Sequence, residues 1–286
     1  MANKNNKLFM YGLIVVLVSV LSIVQVKAST INETIYENYF GIEMTSDEYN
    51  TLVNLGFSSD EIYYMDEQIF LDNKDADATL VSKNEKYYKT VYTGLDGNSY
   101  SLEISKEEYD NQPLVTPRGT VSTEYKTMVT TISENSGKYR FKVSVAWKKM
   151  PSTKNYDIIG VGFEQTNIYI NSSVYFNYYY CANGSCTTES YYQNKKKLST
   201  GGSAAFKFPS SATSFNAALY YDVSKNTTGT VSSLRMCGDY SHAIVAINVG
   251  NISDYDITIN GIELGNSITT HYDAIPCAIS TWSGTW

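Results

Sequence analysis

Residues 138–147 alternate strictly. Tyr139, Phe141, Val143, Val145 and Trp147 fall on one side, and Lys138, Arg140, Lys142 and Ser144 on the other. A period of two belongs to a strand with one buried face and one face toward water. Shorter apolar runs at 158–163, 168–180, 204–208, 217–223, 243–249 and 257–264 follow, punctuated by Gly, Asn, Ser and Asp. Many short strands in one stretch predict an antiparallel sandwich or barrel.

Upstream the period lengthens. Thr45 and Glu48 frame a capping box, in which the Thr hydroxyl accepts from the backbone N–H three residues on and the Glu reaches back. Tyr49, Leu52, Val53 and Leu55 then recur at helical spacing until Gly56, whose backbone suits a helix end. Ser58 and Glu61 repeat the device ahead of Ile62, Tyr63, Met65 and Phe70, so a helical hairpin is predicted. Strands at 87–93 and 100–104 flank a turn at Asp96-Gly97-Asn98, and Ser105 to Glu108 is a third capping box. The chain is therefore read as α+β: a small acidic helical and β-hairpin unit over 29–112, then an antiparallel β-sandwich-like domain over 120–286. Residues 113–119, with two prolines and a glycine, form the linker.

One apolar segment fits neither pattern. Leu8 to Val24 carries no charge, follows Lys4 and Lys7, and precedes Val26-Lys27-Ala28. These features predict a secretory signal over 1–28 cut after Ala28. A retained anchor is the alternative, since seventeen residues is the lower edge of a membrane span.

Charge changes the picture next. The chain of 286 residues has a formal net charge of −7. Residues 29–112 hold 18 acidic and 5 basic side chains, whereas 113–286 hold 11 and 14. An acidic chain argues against nucleic acid as the partner, because phosphate binding needs clustered cations. Lys195-Lys196-Lys197 is the longest basic run and reads as a solvated loop.

Four cysteines limit the thiol chemistry. In Cys181-Ala182-Asn183-Gly184-Ser185-Cys186 the Asn-Gly pair is a strong two-residue turn signal. Counting outward sets Ala182 opposite Ser185 and Cys181 opposite Cys186, within disulfide range. Cys237 and Cys277 remain as the second pair, in keeping with an oxidising compartment. A metal pair is the other reading of the hairpin cysteines and needs two more ligands nearby.

No signature of catalysis is present. His242 and His271 lie near Ser241, Asp239 and Asp273 in sequence, but the chain has no nucleophile-elbow Gly-x-Ser-x-Gly, HExxH, P-loop or dinucleotide fingerprint. Both histidines are read as hydrogen-bonded loop residues. Asn73-x-Asp75-x-Asp77 starts like a calcium loop but has Ala78 at its sixth position and Asn84 at its twelfth. No catalytic residue, metal site or cofactor is predicted.

Tyrosine is the compositional outlier, with 26 against 10 Phe and 3 Trp. The register about Asn183-Gly184 sets Tyr175 opposite Tyr192 and Tyr179 opposite Thr188, away from Phe176 and Tyr178. Tyr175, Tyr179 and Tyr192 are thus candidate ligand-binding residues, because tyrosine offers a rigid flat area with a polar tip. The competing reading is ordinary cross-strand packing.

Trp147-Lys148-Lys149-Met150-Pro151 and Tyr156-Asp157-Ile158-Ile159-Gly160, with the Tyr/Cys hairpin, resemble stretches in uncharacterised secreted proteins of Gram-positive bacteria. The resemblance implies export and supplies no activity. The expectation is a non-catalytic binding or adhesion module of the envelope or medium, its partner a surface glycan or protein. The alternative is a β-pore-forming or membrane-active protein. Ile168, Ile170, Val174, Phe176 and Tyr178 alternate there with Tyr169, Asn171, Ser173, Tyr175 and Asn177, as a barrel strand requires. A secreted hydrolase is the third reading.

Overall fold

The computed structural model describes residues 35–92, 99–112, 123–190, 192, 194–226, 228–245, 253–269 and 272–286. The segment read as a signal, the 113–119 linker, Tyr191 and His271 lie outside the described residues. The chain is mostly antiparallel β-sheet, stacked as a sandwich.

The larger sheet contains β3 (Ala78–Tyr92), β4 (Ser99–Ile104), β5 (Thr123–Asn135), β6 (Lys138–Lys149), β8 (Ile168–Ile170), β9 (Tyr175–Ala182), β10 (Ser185–Glu189) and β13 (Ser214–Lys225). Its order is β10-β9-β13-β6-β5-β3-β4, with β8 also on β13. The facing sheet contains β7 (Tyr156–Phe163), β11 (Asn194–Leu198), β12 (Gly201–Lys207), β14 (Ser233–Ala243), β17 (Tyr272–Ala274) and β18 (Ala278–Ser283). It runs β11-β12-β7-β14-β17, with β18 also on β14. Phe141, Val143, Val145 and Trp147 of β6 meet Ile159, Val161 and Phe163 of β7 and Leu234 and Met236 of β14 in the central core. The apolar side of the 138–147 alternation is buried as expected.

Apart from Lys138 at its start, the polar side is not wet. Three short helices cover it: α1 (Ser46–Asn54), α2 (Ser59–Tyr63) and α3 (Glu67–Asn73). Leu52, Ile62 and Phe70 of these helices, with Leu55 and Met65 between them, form a second core with Tyr220 of β13. Lys142 is fully buried and pairs with Glu61 at 2.6 Å. Arg140 bonds Asp222 at 2.8 Å and Asn73 at 2.6 Å. Alternation detects one buried face; it cannot report that a second layer, whose contacts with β6 span 67 to 86 residues, covers the other with matched charges.

The caps form where the sequence placed them. Thr45 and Ser58 each accept from the N3 backbone while Glu48 and Glu61 return the bond. The second predicted helix is two, because Asp66 accepts from the Ile69 N–H at 2.8 Å and starts a new one. At the third, Ser105 accepts from the Glu108 N–H and caps α4 (Lys106–Asp110), while the Glu108 carboxylate pairs with Lys89 at 2.7 Å.

Several strand boundaries differ from the reading. The run 168–180 is two strands, β8 and β9, since Asn171 to Val174 leave the ladder. Strand β3 begins at Ala78, nine residues before the apolar signal. It pairs with β5 along most of its length, and β4 pairs on its far side. Residues on either side of the predicted linker thus share one sheet. Strand β14 ends at Ala243, where the expected 243–249 run begins, and 246–249 lie outside the described residues; Gly238, Asp239 and His242 hide its apolar alternation.

A hairpin of β15 (Tyr255–Thr258) and β16 (Gly261–Leu264) lies against the outer face of the smaller sheet. Gly162 admits it: a Cβ there would sit 1.8 Å from the Thr258 carbonyl oxygen. A remaining pair, β1 (Ile35–Glu37) and β2 (Glu43–Thr45), leads into α1. Among the described residues no helix is long and apolar enough to cross a membrane.

Candidate functional site

The cysteine hairpin forms as the Asn-Gly count demands. Asn183 and Gly184 hold φ of 54° and 81°, and Cys186 pairs with Cys181 in the ladder. Both disulfides are present, Cys181–Cys186 and Cys237–Cys277. The metal reading of the hairpin cysteines is thereby replaced, because both sulfurs are committed to each other. Two disulfides point to an oxidising compartment.

The three tyrosines do not share one environment. Tyr179 is opposite Thr188 as counted, yet only 7% of it is exposed. Its ring stacks on Tyr64 at 4.5 Å beneath the helical layer. Burial there pushes its phenol well above the ordinary value, so it stays neutral. Tyr175 and Tyr192 remain 41% and 37% exposed. Tyr175 stacks flat on Tyr220, at 5.1 Å and 14°. The Lys195 ammonium lies 4.8 Å from the centre of the Tyr192 ring.

Tyr175 and Tyr192 stand at one end of a trough along the open edge of the sandwich. There β11, the edge strand of the smaller sheet, faces the segment joining β8 to β9. A cavity of about 190 Å³ lies among Tyr175, Asn177, Tyr192, Lys195 and Tyr220. It shares Val174 and Lys195 with a second, of about 380 Å³, bordered by Asn171, Ser172, Ser173 and Lys197. That one shares Lys197 with a third of about 610 Å³, lined by Phe163, Gln165, Ile168, Tyr169, Leu198 and Ile259. Three neighbouring cavities thus lie beside β11: one aromatic, one polar and cationic, and one of mixed lining.

Alternation along β11 explains the charge. Lys195 and Lys197 border the trough, and Lys197 donates to the Ser172 carbonyl at 2.8 Å. Lys196 lies instead against the Tyr255 ring, 4.1 Å from its centre. The run read as a solvated loop is an edge strand, where lysines discourage unwanted strand pairing. The amide oxygens of Gln165, Asn171 and Asn177, one in each part of the trough, are buried with no hydrogen-bond partner among the described residues. Buried acceptors of that kind are ordinarily satisfied.

A second aromatic cluster was invisible in sequence. Tyr36, Tyr39, Phe40 and Tyr63 are all exposed around one end of the helical layer. They come from strand β1, the loop after it and helix α2, with unrelated spacing, so no periodicity gathers them.

His242 is not a loop residue. It lies within β14, fully buried, with Nδ1 3.0 Å from Asp157. Asp157 also accepts from Tyr240 Oη and from the Ala243 N–H. The Tyr240 hydroxyl in turn accepts from Trp147 Nε1 at 3.1 Å. Nε2 of His242 has no partner among the described residues, so no serine hydroxyl completes a triad there. Nearby, Lys126 is fully buried against Asp273 at 3.1 Å. Glu124 is buried too, bonded to Tyr92 and to the Ser152 N–H, and desolvation raises its pKa.

No protein-family model matches the chain, and no curated protein matches it. Among solved structures it has loose likenesses. One is the collagen binding domain of Erysipelothrix rhusiopathiae surface protein RspB, 6% identical over 57% of this chain and 66% of that one, with a TM-score of 0.27. A second is described as manganese lipoxygenase of Gaeumannomyces graminis with a partial zonadhesin of Komagataella pastoris, 8% identical over 73% and 88%, TM-score 0.27. A third, a pore forming protein, is 12% identical over 70% and 89%, TM-score 0.23. Similarity at this level assigns no ligand and no activity.

Proposed function

We propose that the protein is an exported, non-catalytic binding module of a bacterial envelope or medium, freed by cleavage after Ala28, and that its ligand is a glycan lying extended along the edge trough. One observation carries the reading. Two half-exposed tyrosine rings, Tyr175 and Tyr192, line one cavity together with Lys195. Sugar rings stack on such aromatic faces, and the Lys195 ammonium beside the Tyr192 ring offers a donor to their hydroxyls. Lys195 and Lys197 add donors along the middle.

The test is a binding screen of the mature protein against glycans, cell-wall fractions and host proteins, repeated with Tyr192→Ala. Loss of an aromatic anchor is expected to weaken glycan binding by about thirtyfold, near 2 kcal/mol, without moving the melting temperature by more than a few degrees. A ligand indifferent to Tyr192 and Tyr175 would reject the trough. Leakage of liposomes at comparable concentration would favour membrane activity instead. In the folded chain, Ile168, Ile170, Val174, Phe176 and Tyr178 are buried in the central core.

A further inference from the structure

The sandwich core buries an ammonium against a carboxylate. Lys126 of β5 and Asp273 of β17 come from opposite sheets, 147 residues apart, and their side chains are 0% and 3% exposed. Lys126 Nζ lies 3.1 Å from Asp273 Oδ2. Trp147 and Tyr240 wall the site, their ring centres 4.8 and 5.9 Å from Nζ. Two further groups touch the same oxygen: Thr90 Oγ1 at 2.9 Å and Ser101 Oγ at 2.6 Å. Thr90 Oγ1 also accepts from Lys126 Nζ at 3.1 Å, so one hydroxyl bridges the nitrogen and the carboxylate oxygen.

We propose that Lys126 and Asp273 become joined by an amide bond between Nζ and Cγ, a covalent cross-link between the two sheets. The reaction is a condensation and needs no oxidant or cofactor. One ammonium proton first passes to Oδ2, leaving a neutral amine beside a carboxylic acid; the amine lone pair then attacks Cγ, a new N–C bond forms and the Cγ–Oδ2 bond breaks. The ammonium gives up two of its protons, and the departing Oδ2 takes both and leaves as water. The bridging Thr90 hydroxyl is the relay for those protons, accepting from Nζ and donating to Oδ2. Ser101 holds Oδ2 in the position from which it leaves.

Two physical arguments favour this outcome over a permanent ion pair. In bulk water, lysine and aspartate stay ionised and the excess of water opposes condensation. Inside the sandwich both charges have lost their hydration; at Asp273 the ammonium and the two hydroxyls offset that loss and hold its pKa below the usual value, whereas a neutral amide carries no such penalty to offset. Folding also places the reacting groups in contact distance, which replaces a slow bimolecular encounter with an internal one.

The experiment is a tryptic map of the purified exported chain by mass spectrometry after disulfide reduction. The expected result is a branched peptide containing Lys126 and Asp273, lighter than its two parts by one water, with no cleavage after Lys126. Complete recovery of the two unlinked peptides would overturn the proposal, as would the same branched mass in Lys126→Met. Thr90→Val keeps the shape and removes the relay; Thr90→Ser restores the hydroxyl. The branched fraction in freshly made protein should rise about a hundredfold more slowly in Thr90→Val and at close to the native rate in Thr90→Ser. Equal rates in all three would remove Thr90 from the reaction.

Discussion

Tyr179 and Tyr192 show how one residue type serves two ends. Tyr179 fills space between β9 and the helical layer, with its ring on Tyr64. Tyr179→Ala is expected to cost about 3–5 kcal/mol in denaturant unfolding, as other large aromatic truncations in a core do. Tyr192→Ala should leave that midpoint nearly unchanged. Asp239 makes a sharper case. It is buried beneath the β15–β16 hairpin and accepts from the Ile262 and Tyr240 N–H groups, yet desolvation raises its pKa from 3.8 to about 6. Between those values the folded chain keeps a proton that the unfolded chain has lost. Its contribution is therefore present below the unfolded pKa and fades as pH rises through the folded one, by about 3 kcal/mol in all. Asp239→Asn should flatten that segment of the stability–pH curve relative to wild type. Parallel curves for the two proteins between pH 4 and 6 would contradict it.

At the scale of elements, the helical layer is held to the larger sheet through Lys142. The ammonium pairs with Glu61 and donates to the Gly56 carbonyl, and burial lowers its pKa while Glu61 opposes the shift. Removing one partner leaves the other charged and dry. Lys142→Met alone is expected to destabilise by about 3–5 kcal/mol, whereas Lys142→Met with Glu61→Leu should recover most of that loss. Thermal unfolding of the single and double variants measures the difference. The layer explains why the polar positions of β6 were legible only as polar. The capping boxes, by contrast, were readable because each is made of residues three apart. So was the cysteine hairpin, whose register follows from two turn residues. The trough was not readable: β11 meets the β8–β9 segment only because two sheets close on each other, and no spacing in the chain encodes that approach.

Across the whole molecule, the two disulfides differ in reach. Cys237–Cys277 closes 40 residues and Cys181–Cys186 closes 5. By chain entropy the first contributes about 4 kcal/mol and the second about 2. Replacing Cys237 and Cys277 by serine should therefore lower stability more than replacing the hairpin pair, in equilibrium unfolding of the otherwise native chain. A larger loss from the hairpin pair would show that local strain or packing outweighs loop closure. Export is tested by N-terminal sequencing of secreted material, which is expected to begin at Ser29; recovery of the apolar segment in a membrane fraction would instead support a retained anchor.

Local pattern alone determined the strand-rich class, the three caps, the Asn-Gly turn and, by elimination, both disulfide partners. Each rests on residues close in sequence or on a small count, so backbone geometry and valence settle it. Tertiary structure alone decided which faces are dry. It buried Arg140 and Lys142 under helices and put His242 in a strand. It separated Tyr179 from Tyr175 and Tyr192, and it brought Lys126 to Asp273 across the core. Burial depends on what packs above a residue, and those partners here lie tens to more than a hundred positions away.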